Sequence, residues 1–354
     1  MKKIIYYTKY TRKGASSRMR SYQFFPFLEE NGFNVTVSPF LDSIYLEQLY
    51  SGKKNSKTSV IKSYLRRFFS LFSLHKYDLV IIEKELFPYF PAIIEQTLRF
   101  FKVKYIVDYD DALFHLYDQN SNKYIRKFLG NKIDIVMRNS SMVICGNEYL
   151  VARAKKSGAK RVEKLPTVID LSRYKIKNNY KDNSIVIGWI GTPATLIFVK
   201  PIEDAIVEVL NNLNVSVQFV GGVSGIFNEH PKISYVTWSE KSEINSILNF
   251  DIGIMPILDD DWAKGKCAYK LIQYMGCGLP VVGTYKGMNI EVIEENENGF
   301  LAATHKEWVD ALTKLVKNKE LRVRLGSNGR EKVAQKYTLE VSSKKLLKLI
   351  NNVI

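Results

Sequence analysis

Residues 265–284 read GKCAYKLIQYMGCGLPVVGT. Lys266 and Lys270 stand four apart and so share one face of a helix. The helical pattern ends at Cys277-Gly278-Leu279-Pro280 and gives way to the apolar run Val281-Val282. Lys270 sits between Tyr269 and Leu271-Ile272, and an ammonium drawn into apolar surroundings needs an anion close by. Just upstream, residues 250–257 (FDIGIMPI) form another apolar run. Apolar run, helix, apolar run is the pattern of a parallel βαβ unit.

The same alternation extends outward in both directions. Residues 184–191 (SIVIGWIG), 215–222 (VSVQFVGG) and 233–238 (ISYVTW) read as strands, with a helix over about 196–212. In the first half, KKIIYYT, FNVTVSPF, YDLVIIEKE, VKYIVDYDD and SSMVICGN read as strands, with helices near 18–31, 91–101 and 122–138. The tail from about 305 to 350 is helical, and KLPTVIDLSRYKIKNNYKDN between the halves is polar and turn-rich. The expected division is a first domain over 1–168, a linker over 169–183, a second domain over 184–335 and a last helix over 336–354 that returns to the first domain. A chain of 354 residues suits two cores better than one. Two doubly wound α/β domains facing each other across a cleft is the expected architecture.

No apolar run reaches the ~18 residues of a membrane-spanning helix. MKKIIYYTKY turns polar too early for a signal peptide and reads as a first buried strand. The three cysteines, Cys145, Cys267 and Cys277, form no CxxC pair and point to free thiols in a reducing cytoplasm. The net charge of +16 is lopsided: residues 1–175 hold 31 Lys+Arg against 16 Asp+Glu, and the remainder 21 against 20. A basic surface of that size serves nucleic acid, an anionic membrane or an acidic substrate.

Ligands of such sheets bind beyond the carboxyl ends of the strands. Three loops of the second half qualify. Gly191-Thr192-Pro193-Ala194-Thr195 opens a helix after IVIGWI; it reads equally as a phosphate loop or as plain capping by Thr192 or Thr195. Lys266 and Lys270 follow DIGIMPI, with Lys264 as a solvated partner for Asp259, Asp260 and Asp261. Gly287, Met288 and Asn289 turn into a helix after LPVVGT, and Glu291 either bonds a sugar hydroxyl or complements the helix dipole.

The combination of DIGIMPI, WAKGKCAYKLIQYMGCGLPVVGT and GMNIEVIEENENGFLAATHKEWVDAL with GASSRMRSYQFFPFLEENG, EKELFPYF, VDYDDALFH and GNEYLVARAKKSGAKRVEKLPTVID resembles bacterial family 4 glycosyltransferases of the GT-B fold over nearly the whole chain. The resemblance implies transfer of a sugar from a nucleotide-sugar donor, with retention at the anomeric carbon and no obligatory metal or cofactor. It implies that Lys270 binds the diphosphate, helped by Lys266, Gly191, Thr192 and, across the cleft, Arg18. Gly14, Ala15, Ser16 and Ser17 would form a loop near the donor phosphates, and Met288, Asn289 and Glu291 would sit by the sugar and phosphates. Asp110 and Asp111 would face the acceptor and the reacting carbon as catalytic candidates. Many members carry two glutamates eight apart in the opening helix; this chain has Gly265 and Gln273 there. An amide at Gln273 still suits a ribose diol, whereas Gly265 replaces no carboxylate.

Neither DYDD nor DDD reads as a metal site, and His115 reads as structural. Trp238 suits either a nucleobase platform or the core. Residues 57–75 place Val60, Ile61, Tyr64, Leu65, Phe68, Phe69 and Phe72 on one helical face, with Lys62, Arg66 and Arg67 opposite or beside it. That stripe suits packing on the sheet or, given the basic half, shallow docking on the anionic inner leaflet, which would bring the enzyme to a lipid-linked glycan acceptor in surface polysaccharide assembly (O-antigen or capsule). Rival readings are a nucleotide-sugar epimerase, an inactive donor-binding scaffold, and a basic nucleic-acid-binding protein. The scattered charges and missing nucleic-acid motifs speak against the last.

Overall fold

The computed structural model of the chain describes residues 1–50, 56–180, 182–227 and 230–354. These form two compact units, Met1–Thr167 with Leu339–Ile354, and Val168–Thr338.

The first unit is built on six strands: β1 (Lys2–Tyr7), β2 (Phe33–Val37), β3 (Leu79–Glu83), β4 (Tyr105–Tyr109), β5 (Met142–Cys145) and β6 (Val162–Lys164). All neighbours are parallel, in the order β2-β1-β3-β4-β5-β6. Every residue of β3, β4 and β5 is buried, as expected of strands covered by helices on both faces. The chain steps from β1 out to β2, then returns past β1 to β3. This reversal puts the topological switch point between β1 and β3. The short helix α1 (Ala15–Arg20) starts just beyond β1. The C-terminal helix Leu339–Asn351 also belongs to this unit. Lys345 Nζ donates to the Lys164 carbonyl at 2.8 Å, and Lys104 Nζ to the Ile354 carbonyl at 3.0 Å.

The second unit repeats the plan with β7 (Ile185–Ile190), β8 (Val215–Val220), β9 (Ile233–Val236), β10 (Ile252–Met255), β11 (Val281–Thr284) and β12 (Gly299–Ala302). Its parallel order is β12-β11-β10-β7-β8-β9, with the reversal between β7 and β10. Residues 169–180 run against this unit: Tyr174 is buried, and Lys177 Nζ lies 3.2 Å from Asp251 Oδ1.

The expected elements are present, with three changes of detail. The helix anticipated over 196–212 is broken into Pro193–Leu196, a 3₁₀ stretch Ile197–Ile202 and Glu203–Asn212. Pro201, which has no N–H to donate, sits at the discontinuity. The segment near 122–138 divides into Lys123–Leu129 and Lys132–Asn139 around Gly130-Asn131. The one near 18–31 divides into α1, Tyr22–Phe24 and Phe25–Glu30, with Pro26 in the first turn of the last.

The helix Lys57–Leu71 (α2) faces the opposite way from a core helix. Ser63 and Arg67 are its buried residues, while Ile61, Leu65, Phe68 and Phe69, followed by Phe72, are 44–68% exposed. Arg67 donates to the carbonyls of Thr8 at 2.9 Å and Ser38 at 2.8 Å, and its guanidinium lies 4.6 Å from the Tyr7 ring centroid. Arg66 donates to the carbonyls of Pro39 and Phe40, both at 2.8 Å. The anticipated stripe is therefore divided. Val60 and Tyr64 turn partly inward, and the remaining apolar residues face solvent because the polar residues of α2 are the ones that anchor it. No helix among the described residues is long and apolar enough to cross a membrane.

Candidate functional site

At the second unit's switch point, β7 ends in Trp189-Ile190 and is followed by Gly191. A Cβ at Gly191 would lie 2.4 Å from the Trp189 ring and 2.8 Å from Thr195 Oγ1, so only glycine fits. The capping alternative for this loop is realised. The Thr192 N–H donates to Thr195 Oγ1 at 3.1 Å, and the Gly191 N–H donates to the Val220 carbonyl at 3.0 Å. Lys270 enters from α4 (Tyr269–Gly276), the helix between β10 and β11; α3 (Glu243–Leu248) precedes β10. The Lys270 ammonium stands 5.0 Å from the Trp189 ring centroid. Burial, reinforced by repulsion from Lys266, pushes it down to about 7. Among the described residues no carboxylate pairs with it. Lys264 is tied to Asp261 at 2.6 Å, and Asp260 caps the Ala263 N–H at 2.6 Å. The Lys270 ammonium is thus left for an external anion.

Three candidates prove to be braces rather than open ligand contacts. Gln273 is buried, and its Nε2 donates to Glu243 Oε1 at 2.9 Å and Tyr174 OH at 3.0 Å. The amide N–H groups thus face a carboxylate on α3. Asn289 is buried, donating from Nδ2 to the carbonyls of Met255 and Thr284 at 3.1 Å each, which clamps the ends of β10 and β11 together. Met288 is buried beside it, whereas Glu291 is half-buried. Trp238 is half-buried and donates from Nε1 to Glu243 Oε2 at 2.8 Å.

At the first unit's switch point, three strand ends converge on a cluster of charge. Gly14 caps α1, and a Cβ there would fall 2.5 Å from Tyr10 Cβ. Ser16 Oγ donates to Asp110 Oδ2 at 2.5 Å, and Ser17 Oγ to Glu83 Oε1 at 2.9 Å. Arg20 forks onto Asp108, with Nε to Oδ2 at 2.9 Å and Nη2 to Oδ1 at 2.5 Å, and its Nη1 reaches the Leu165 carbonyl at 2.7 Å. Arg18 is buried on the same helix. Lys84, which no local pattern singles out, lies 2.9 Å from Asp110 Oδ1 and 3.5 Å from Asp111 Oδ2. Against the cost of its burial, Lys84 and the Ser16 hydroxyl hold the Asp110 carboxyl well below its ordinary range. A carboxylate so stabilised is a poor general base. Burial pushes the neighbouring Glu83 up to about 7. His115 has both ring nitrogens engaged, with Asp118 at 2.8 Å and Tyr149 OH at 2.7 Å, which accords with a structural role.

Residues 241–332, which contain α3, α4 and the lysine pair, match the family described as Glycosyl transferases group 1. Over 80 residues the chain is 36% identical to a Thermosipho melanesiensis protein named "Probable sucrose-phosphate synthase", a match that covers 23% of this chain and 18% of that one. The chain spans less than a fifth of the length of the curated relatives it matches. Among solved structures, a sucrose-phosphate synthase from Thermosynechococcus elongatus superposes with TM-score 0.74 at 13% identity, over 99% of both chains. Anabaena HepE in complex with UDP superposes with TM-score 0.72 at 13% identity, over 99% of this chain and 100% of that one. The fold is GT-B, two six-stranded parallel α/β sheets.

Proposed function

We propose that this chain, whose residues 241–332 match the family described as Glycosyl transferases group 1, moves a sugar from a nucleoside-diphosphate donor to a hydroxyl of a lipid-linked glycan. The observation that carries the reading is Lys270: a half-buried cation over an aromatic ring, with a second lysine beside it and no carboxylate paired to it. A diphosphate supplies the missing charge. As the anomeric C–O bond breaks, negative charge grows on the departing β-phosphate, and fixed cations already aimed there lower the barrier. Transfer with retention follows if the acceptor oxygen attacks from the face the diphosphate leaves. The acceptor proton then passes to the leaving phosphate oxygen, and no basic side chain is required. Neither metal nor cofactor takes part in this scheme.

The test is a thermal-shift panel of UDP, GDP, ADP, CMP, dTDP and NAD. One nucleoside diphosphate at ~100 times its Kd adds about 2.7 kcal/mol to the unit that holds it, a rise of roughly 5–10 °C. A panel in which none shifts the protein defeats the reading.

The place of reaction is proposed from α2. Its outward face is apolar and the first half of the chain is basic, which together suit the anionic inner leaflet. In a sedimentation assay at low salt the protein is expected to bind vesicles containing phosphatidylglycerol and to ignore phosphatidylcholine vesicles. Phe69→Glu with Phe72→Glu should cut that binding at least tenfold while leaving nucleotide affinity intact. Equal retention by neutral and anionic vesicles would count against it.

A further inference from the structure

Glu83, Lys84 and Glu85 are three consecutive charged residues at the end of β3, and all three are buried. Lys84 has φ +69°, a left-handed conformation that a non-glycine residue adopts at a cost of roughly 1–3 kcal/mol. Its N–H is spent on the Asp108 carbonyl at 2.9 Å, and its ammonium is delivered between Asp110 and Asp111. The sheet register makes this possible: Glu83 pairs with Asp108, so the residues that follow the two strands meet at the same height. The groups that face Lys84 come from three elements: Lys9 and Tyr10 after β1, Glu83 on β3, and Asp108, Asp110 and Asp111 at the end of β4. Strain retained at the mouth of a sheet, on a buried cation clamped by two acids, is more than a packing residue needs.

We infer that Lys84 is a positioning residue for the proposed transfer: its ammonium, 2.9 Å from Asp110 and 3.5 Å from Asp111, fixes both side chains so that the pair receives an acceptor hydroxyl as a hydrogen-bond acceptor rather than as a proton-abstracting base. This rests on the glycosyl-transfer reading for its chemistry, although the electrostatic arrangement stands independently. Lys84 holds the pair from beneath. Ser16 fixes the far oxygen of Asp110, and Asp111 is the more open member, with 23% of its side chain exposed against 13% for Asp110. Without the ammonium, two adjacent carboxylates would share a proton, and the protonated member would offer a donor where the acceptor's own O–H needs an acceptor.

The test compares wild type with Lys84→Met, Lys84→Arg and the double variant Lys84→Met/Asp110→Asn. Carboxyl ¹³C shifts of labelled aspartate report the pair directly. The Asp110 signal of wild type and Lys84→Arg should not titrate between pH 5 and 7.5. Lys84→Met should gain a carboxyl titration there, and the double variant, with one charge removed, should lose it again. UDP-glucose turnover against a panel of aryl glycosides should fall at least 100-fold in Lys84→Met, with an acid limb moved up into that same pH range, while UDP affinity stays within twofold. An aspartate titration unchanged by Lys84→Met, or turnover and its pH profile unaffected by it, overturns the inference. Absent binding of every nucleoside diphosphate in the panel, with the NMR pattern as expected, overturns the transferase reading alone.

Discussion

Lys270→Ala is expected to weaken UDP binding about 10- to 150-fold, the equivalent of the roughly 1.5–3 kcal/mol that a hydrogen bond to a charged group contributes. The same lysine sets the pH dependence. Its ammonium titrates at about 7 in the free protein because burial and Lys266 disfavour the charge. A bound diphosphate favours it and raises the value. Binding is therefore strongest below about pH 7 and is lost as pH climbs from the free value toward the bound one, up to tenfold per unit. Lys270→Arg, whose guanidinium stays charged throughout, should flatten that dependence. Calorimetry with UDP at pH 6.5, 7.5 and 8.5 decides the matter; wild-type affinity that is flat with pH, or an alanine variant within twofold of it, removes Lys270 from the phosphate site.

Arg20→Ala should cost the first unit about 3–5 kcal/mol, the range for breaking a buried ion pair on one side. The guanidinium fork joins α1 to β4 through both oxygens of Asp108 and ties both to the chain beyond β6 through the Leu165 carbonyl. At roughly 2–4 °C per kcal/mol for a unit of this size, the melting temperature should drop by about 6–20 °C. Arg20→Lys cannot restore the fork. Burial already raises the Asp108 carboxyl, with Arg20 opposing it. Once Arg20 is gone the rise is larger. A carboxyl whose folded value lies above its unfolded one weakens the fold as pH rises through that window. The deficit should thus be greatest near pH 7 and narrow toward pH 5. A deficit independent of pH, or below 1 kcal/mol, would mean that Asp108 is better solvated than its surroundings suggest.

What was legible in the sequence follows the strength of the local pattern. β3 and β4 announce themselves because a strand covered on both faces needs an unbroken apolar run. β6 has three half-buried residues at a sheet edge, and β12 has four residues that emerge from the polar stretch ENENG; neither carries enough pattern to be read. The lysine of the second unit was legible because charge inside an apolar helix is anomalous. Lys84 was not, since a Glu-Lys-Glu run ordinarily reads as solvated surface, and only the pairing of β3 with β4 reveals its partners. For Gln273 the residue type suggests a chemical role, and only the packing reveals that its Nε2 meets Glu243 and Tyr174. The stripe on α2 was visible, but its direction depended on Arg67 finding two carbonyls that no periodicity encodes.

The C-terminal helix carries a consequence for how the chain is made. Residues 339–354 pack within the first unit, against the helices Tyr22–Phe24 and Phe25–Glu30, after the whole of the second unit has intervened. During synthesis the earlier-translated half therefore waits, unfinished, while residues 168–338 leave the ribosome and gather their own sheet. At ~5–20 residues per second that interval lasts roughly 10–35 s. The half made first is the half completed last, and the surface it leaves uncovered in the meantime is the one a chaperone would meet.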